Sequence, residues 1–253
     1  MNKIIKYVFG RFYWHQHSAH LDYKGSWKNG SFHGKGQLKS SNGTLFKGVF
    51  KSGSKTGFGK VRSPSGYQYA GDWISGKKTG YGKINYKNGD IYKGQVLDGL
   101  RHGLGELHIA TSGWKFKGVW TNEQITGAVE ITTTDWTFKG KMTEMRAPMV
   151  GQMSYADKSV YVGELLDFSR QGQGTLTKHS GECIAGVWSD NVNVEDATRT
   201  DSQGIYWKGS LRNLKPEGVM HVRLPNGQEY DGVWESGDMM RVLSVHNRER
   251  EPL

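Results

Sequence analysis

Ten times along the chain a bulky, mostly aromatic residue is followed two positions later by glycine, at a nearly constant spacing. The anchors are Tyr23, Phe46, Tyr69, Tyr92, Phe116, Phe138, Tyr161, Ile184, Trp207 and Tyr230, at steps of 22 to 24 residues. A phase held over this length marks a repeat architecture, in which each copy is one supersecondary unit. Within a copy the period is two: Tyr23, Gly25 and Trp27 alternate with Lys24 and Ser26, the pattern of a half-buried strand. "KNG" then turns the chain, "GKGQL" starts a second alternating run, and "SSNG" closes the unit. Each copy is predicted to be a β-hairpin with a short link to the next. Glycine has two roles here. On the strands, Gly25, Gly34 and Gly36 leave room for rings from adjacent strands to lie across the gap. After Asn or Ser, Gly30, Gly43, Gly66 and Gly89 supply the positive φ of turns.

The segments "YKGSWKNGSFHGKGQLKSSNG", "FKGVFKSGSKTGFGKVRSPSG", "YAGDWISGKKTGYGKINYKNG" and "YKGQVLDGLRHGLGELHIATSG" resemble the MORN repeat (membrane occupation and recognition nexus), and "YVGELLDFSRQGQGTLTKHSG" is close to it. The resemblance implies an all-β fold, an elongated single-layer twisted antiparallel sheet of about ten stacked 23-residue hairpins. With two strands per copy about 4.8 Å apart, the ribbon would run on the order of 95 Å. Residues 1–22 are expected to cap the first copy, with "FGRFYW" as a degenerate half-copy. Residues 23–240 form the array, regular over 23–115 and degenerate over 116–240. Copy ten is expected to stop after its first strand and turn, and 241–253 to be a charged tail.

Composition sets the partners. The chain has 36 glycines but 12% aromatics, which excludes a disordered Gly/Ser linker. Residues 1–120 hold 20 Lys/Arg against 5 Asp/Glu, and 121–253 hold 14 against 19, so a net +15 is followed by −5. Such polarity concerns partners rather than fold. The single Cys183 forms no internal disulfide and fits a reducing, cytoplasmic setting. "MNKIIKYVFGRFYW" predicts no cleavable leader, and no apolar run approaches the ~20 residues of a spanning helix.

Little in the sequence suggests catalysis. "GKG", "GFG", "GYG" and "GLG" recur at the repeat period with no helix pattern after them, unlike a phosphate loop. His15, His17 and His20 read as surface or capping residues, Cys183 as a small buried thiol, and Asp98 and Asp190 as turn residues. The expectation is a protein that is not an enzyme, with no catalytic residues, no cofactor and no metal.

Two surfaces remain. The residue after the anchor is lysine in six copies, and Lys24, Lys47, Lys93, Lys117 and Lys139 would form a ladder opposite the rings. This is either a solvated face that keeps a sheet soluble or a basic track for an acidic partner. The other face carries Tyr23, Trp27, Phe46, Phe50, Tyr69, Trp73, Tyr92, Phe116 and Trp120. These rings either satisfy one another or line a groove for an extended peptide, a partner helix or a cytoskeletal subunit. The reading is a protein-interaction scaffold, with cytoskeletal or axonemal location and dimerisation implied by the resemblance alone. An anionic lipid surface is the alternative partner, bound electrostatically; nucleic acid is not expected.

Overall fold

The computed structural model describes residues 3–8, 11–17, 21–143 and 147–246. Among them there are strands and no helix. The chain divides into two units, Met1–Thr126 and Gly127–Leu253. The first holds β1 (Lys3–Val8), β2 (Arg11–His17), β3 (Leu21–Lys28), β4 (Ser31–Ser40), β5 (Leu45–Lys51), β6 (Ser54–Arg62), β7 (Gln68–Ile74), β8 (Lys77–Asn85), β9 (Ile91–Leu97), β10 (Leu100–His108) and β11 (Lys115–Thr121). Each pairs antiparallel with the next in sequence. In the second unit β12 (Gln124–Thr132), whose first residues precede the seam, begins the same kind of ladder. It continues through β13 (Trp136–Met142), β14 (Met149–Tyr155), β15 (Val160–Leu166), β16 (Ser169–Thr177), β17 (Cys183–Ser189), β18 (Asn193–Thr200), β19 (Tyr206–Arg212), β20 (Lys215–Arg223), β21 (Glu229–Glu235) and β22 (Asp238–His246).

The hairpins turn on pairs such as Asn29–Gly30 (φ 50° and 72°) and Ser52–Gly53 (φ 47° and 83°). Two successive positive φ values make the type I′ turn whose twist matches the flanking strands. Gly43, Gly66 and Gly89 in the links also have positive φ. Gly34 differs from expectation. It adopts φ 66° at a bulge, and Gly57, Gly80 and Gly103 have positive φ (61°, 113° and 57°) at the same place in their copies. At three bulges the side chain three residues after the anchor accepts the freed N–H: Asp72 from Tyr81 (2.9 Å), Gln95 from Leu104 (2.8 Å) and Glu164 from Gln173 (3.4 Å).

The flat-strand glycines line up. Gly36 faces Gly25 within its hairpin and Gly48 across the next interface. The row runs on through Gly59, Gly71, Gly82, Gly94, Gly105 and Gly118. In the second unit Gly140, Gly151, Gly163, Gly174 and Gly186 make a like row. The rings of Tyr23, Phe46, Tyr69, Tyr92, Phe138 and Tyr161 bend over the row: a Cβ on Gly59 would lie 2.5 Å from Phe46 Cε2, and one on Gly151 2.6 Å from Phe138 Cε2. Where the second-strand glycine is lost, Val129, Ala197 and Met220 stand in the row and are buried themselves. There the fill comes from the second strand, and the ninth anchor, Trp207, is only half-buried.

Copies then lock together edge-to-face. Tyr23 meets Phe50 of the following copy at 5.3 Å between centroids, Phe46 meets Trp73 at 5.0 Å, Tyr92 meets Trp120 at 5.7 Å and Tyr161 meets Trp188 at 5.5 Å. Such pairs contribute about 0.5–1.5 kcal/mol each beyond burial. Turns are stapled backward: Gly53 donates its N–H to Phe32 O, Gly76 to Lys55 O and Gly99 to Lys78 O, each at 2.9 Å.

The last copy corrects the sequence reading. β22 is a second strand that pairs with β21 from His246 opposite Glu229 to Asp238 opposite Glu235. It was hidden because it lacks the glycine pair and two register shifts break its alternation. The rest of the expected tail, 247–253, and residues 9–10 of the expected cap lie outside the described residues, as does His20.

Gly82→Ala forces the Tyr69 ring off its seat. The expected loss is about 1–3 kcal/mol, although alanine alone would favour an extended strand. Gly76→Asn, with open space around it but φ 85°, meets backbone strain alone, which asparagine tolerates better than other side chains, and is expected to cost less, about 1 kcal/mol. Thermal unfolding followed by circular dichroism separates the two.

Candidate interaction surface

The ring face is closed by its own contacts. Tyr23, Phe46, Phe50, Tyr69, Trp73, Tyr92, Phe116 and Trp120 are all buried, and only Trp27 of the expected groove is half-exposed. The rings satisfy one another, so a partner on this side would meet other atoms. The reason is geometric: glycine opposite each ring lets it lie down on the sheet instead of standing out from it. Four of the five anchor tyrosines also return their hydroxyls to the backbone. Tyr23 donates to Ser26 O (2.9 Å), Tyr69 to Asp72 O (2.8 Å), Tyr92 to Gln95 O (2.8 Å) and Tyr161 to Glu164 O (2.9 Å). Burial pushes these four phenols up to about 12. Indole N–H groups are used the same way: Trp73 donates to Gly59 O, Trp120 to Gly105 O and Trp188 to Gly174 O.

Cations roof this ring layer at the same 23-residue spacing. Lys55 sits 5.0 Å from the Trp73 centroid, Lys78 5.6 Å from Tyr69 and Arg101 4.5 Å from Trp120. Arg170 holds the like place 4.8 Å from Trp188. Burial lowers the pKa of both Lys55 and Lys78. Arg101 is fixed by Glu123 in the next turn, with Nε 2.6 Å from the carboxylate. These are cation–π contacts, and they use charges that the sequence alone would assign to solvent near the turns.

The opposite face is open. Lys24, Lys47, Lys93 and Lys117 are exposed as expected, but strand register adds two more. Across the first unit the row reads Lys24, Gln37, Lys47, Lys60, Ala70, Lys83, Lys93, Glu106, Lys117. Lys60 and Lys83 come from second strands, and sequence reasoning missed them because it followed the anchors only. Lys139 lies in the second unit, 3.5 Å from Glu130. One step along each second strand stand Phe58, Tyr81 and Leu104, 57%, 59% and 60% exposed. They are the middle residues of "GFG", "GYG" and "GLG", two positions before Lys60, Lys83 and Glu106 of the row.

In sequence, residues 23–45, 69–91 and 92–113 match the MORN repeat. These are MORN repeats. No curated protein matches the chain in sequence. Solved structures similar to it include the TCP domain of Drosophila melanogaster SAS-4 (dCPAP) in complex with a proline-rich motif of Ana2 (dSTIL), at 13% identity and a TM-score of 0.38, covering 79% of this chain and 90% of that one. The wild-type TCP10 domain of Danio rerio CPAP gives 12% identity and a TM-score of 0.37, covering 97% and 99%.

Outside the MORN matches, two expectations change. Cys183 is half-buried rather than enclosed, because the position before an anchor points to the open face. No metal site was expected, yet register brings His221, Asp231 and His246 from three adjacent strands within reach of one another. His246, His221 and Ser244 all hydrogen-bond the Asp231 carboxylate and hold it well below the usual carboxylate range. The side chains of His15 and His17 lie outside the described residues.

Stability should report the anchor tyrosines. The fold holds the neutral phenols up to about 12, whereas the unfolded chain releases these protons near pH 10. This contribution is therefore complete below pH 10 and lost as pH rises from 10 to 12. A spectrophotometric titration should show these four ionising late, and denaturant midpoints should fall over that window. Tyr92→Phe, which removes one hydroxyl bond, should cost about 1 kcal/mol at neutral pH.

Proposed function

We propose that the protein is a non-enzymatic protein-interaction scaffold whose first unit binds an acidic, extended partner segment along the lysine face. The observation that carries this is the pairing of two rows on one surface. Lysines alone would serve a soluble sheet face. Phe58, Tyr81 and Leu104, each more than half exposed, do not serve solubility, and large exposed apolar groups rimmed by charge mark interaction sites. Positions equivalent in successive copies are about 9.5 Å apart, so a partner with acidic and apolar groups at that interval fits both rows. The ring face, with its aromatics used in packing, supports the same choice. A cytoskeletal or axonemal setting is the part of the proposal that rests on family resemblance, and immunoelectron microscopy tests it.

Cross-linking followed by mass spectrometry should recover a protein partner joined at Lys47, Lys60, Lys83 or Lys93. Lys60→Glu with Lys83→Glu, and separately Tyr81→Ser, should each weaken its capture at least about tenfold, or about 1.4 kcal/mol. Capture insensitive to both would overturn the reading. Loss with the charge reversals alone, together with binding to phosphatidylserine vesicles, would favour an anionic lipid surface instead.

A further inference from the structure

The last three strands bring together a set of donors that the repeat does not require. His221 on β20 and Asp231 on β21 are direct cross-strand partners, and Ser244 on β22 faces Asp231 from the other side. His221 Nδ1 lies 2.9 Å from Asp231 Oδ1, and His246 Nε2 lies 2.8 Å from Asp231 Oδ2. One donor atom from each of the three residues falls within 4.8 Å of the other two. We propose that His221 Nδ1, Asp231 and His246 Nε2 form a binding site for a divalent transition-metal ion, zinc(II) by ligand chemistry.

The distances suit it. Zinc–nitrogen and zinc–oxygen bonds of about 2.0–2.2 Å in a tetrahedron place donors about 3.3–3.5 Å apart. The two hydrogen-bonded pairs need to open by about half an ångström, and the two imidazole donors, which lie within 4.8 Å of each other, need to close by up to about 1.4 Å, both by side-chain rotation. The surroundings are those of a supported site. The other nitrogen of His221, Nε2, lies 3.7 Å from Glu229 Oε2, so Glu229 has to approach by about half an ångström to hold the far N–H while Nδ1 faces a metal. A carboxylate behind a ligating imidazole fixes the ring and raises its donor strength. Ser244 Oγ donates to Asp231 Oδ2 at 2.8 Å and orients that carboxylate. Two carboxylates, Asp231 and Glu229, offset the charge of one dication, although Lys208 stands opposite His221 on β19. Two imidazoles select zinc, copper, cobalt or nickel over magnesium and calcium, which take all-oxygen sites. Three protein donors on a partly exposed surface leave a fourth position for water or for a donor from another molecule.

The test uses the full chain freed of metal by chelation. Calorimetric titration with zinc(II) should show one binding event present in the native protein and absent in His221→Ala and in His246→Ala. Glu229→Gln should retain the event at an affinity lowered about 10- to 100-fold. Nuclear magnetic resonance on the native protein guards against unfolded variants: substoichiometric cobalt(II) should broaden the imidazole signals of His221 and His246 before those of the other histidines. Unchanged zinc stoichiometry in both folded alanine variants, or first broadening at other histidines, would show that the cluster is a hydrogen-bonded His–Asp–His network without a metal.

Discussion

An aromatic ring lying flat on a glycine is the contact on which this structure depends. A strand with glycine in its interior is weak by itself, from entropy and from the missing side chain. A single sheet layer has no second layer to bury apolar area against. The ring resolves both difficulties at once. It fills the space above two glycines, covers the backbone there, and keeps its edge free for the aromatic of the next copy. Stability is then a chain of nearest-neighbour terms, as in other repeat proteins. The tyrosine hydroxyl completes the arrangement by reaching a carbonyl three residues on, so the buried phenol is satisfied locally in each copy that has one.

The same contact explains how the degenerate copies survive. Val129, Ala197 and Met220 place side chains where other copies have glycine, and each is buried. In copy eight the anchor opposite such a residue is Ile184, not a ring. In copy nine Met220 takes the space and Trp207 is displaced toward solvent. Volume is kept while its source moves from first strand to second, the kind of exchange that cores tolerate best. A reader of the sequence sees only that a motif has decayed, because the compensation is across strands.

Legibility follows from what is local. The hairpins, the positive φ of Gly30 and the role of Gly25 and Gly36 could be read from a two-residue period and a 23-residue phase. The fate of the rings could not, since whether Tyr69 stands in a groove or lies on Gly82 depends on the strand opposite. Lys60 and Lys83 escaped for the same reason: they are not at the anchor-plus-one position, yet register sets them in line with Lys47 and Lys93. β22 escaped because bulges erased its alternation. The His221, Asp231 and His246 cluster has no sequence spacing to betray it; only antiparallel pairing closes the gap.

The two faces are therefore under different physical constraints, and this bears on where function resides. On the ring face every position is coupled to its neighbours in two copies, so change there is costly and the cations above the rings are held by the same packing. On the open face, side chains stand on a backbone already fixed from beneath, so their chemistry is free to vary from copy to copy. The anchor-plus-one row shows this: lysine dominates it in the first unit, while the equivalent row of the second unit reads Glu130, Lys139, Gln152, Val162, Thr175, Ala185, Thr198, Lys208, His221 and Asp231. One register position thus supplies a basic track in one unit and the His–Asp cluster in the other. On a fold built this way, the side chains of the open face differ between copies without touching the contact that holds it together.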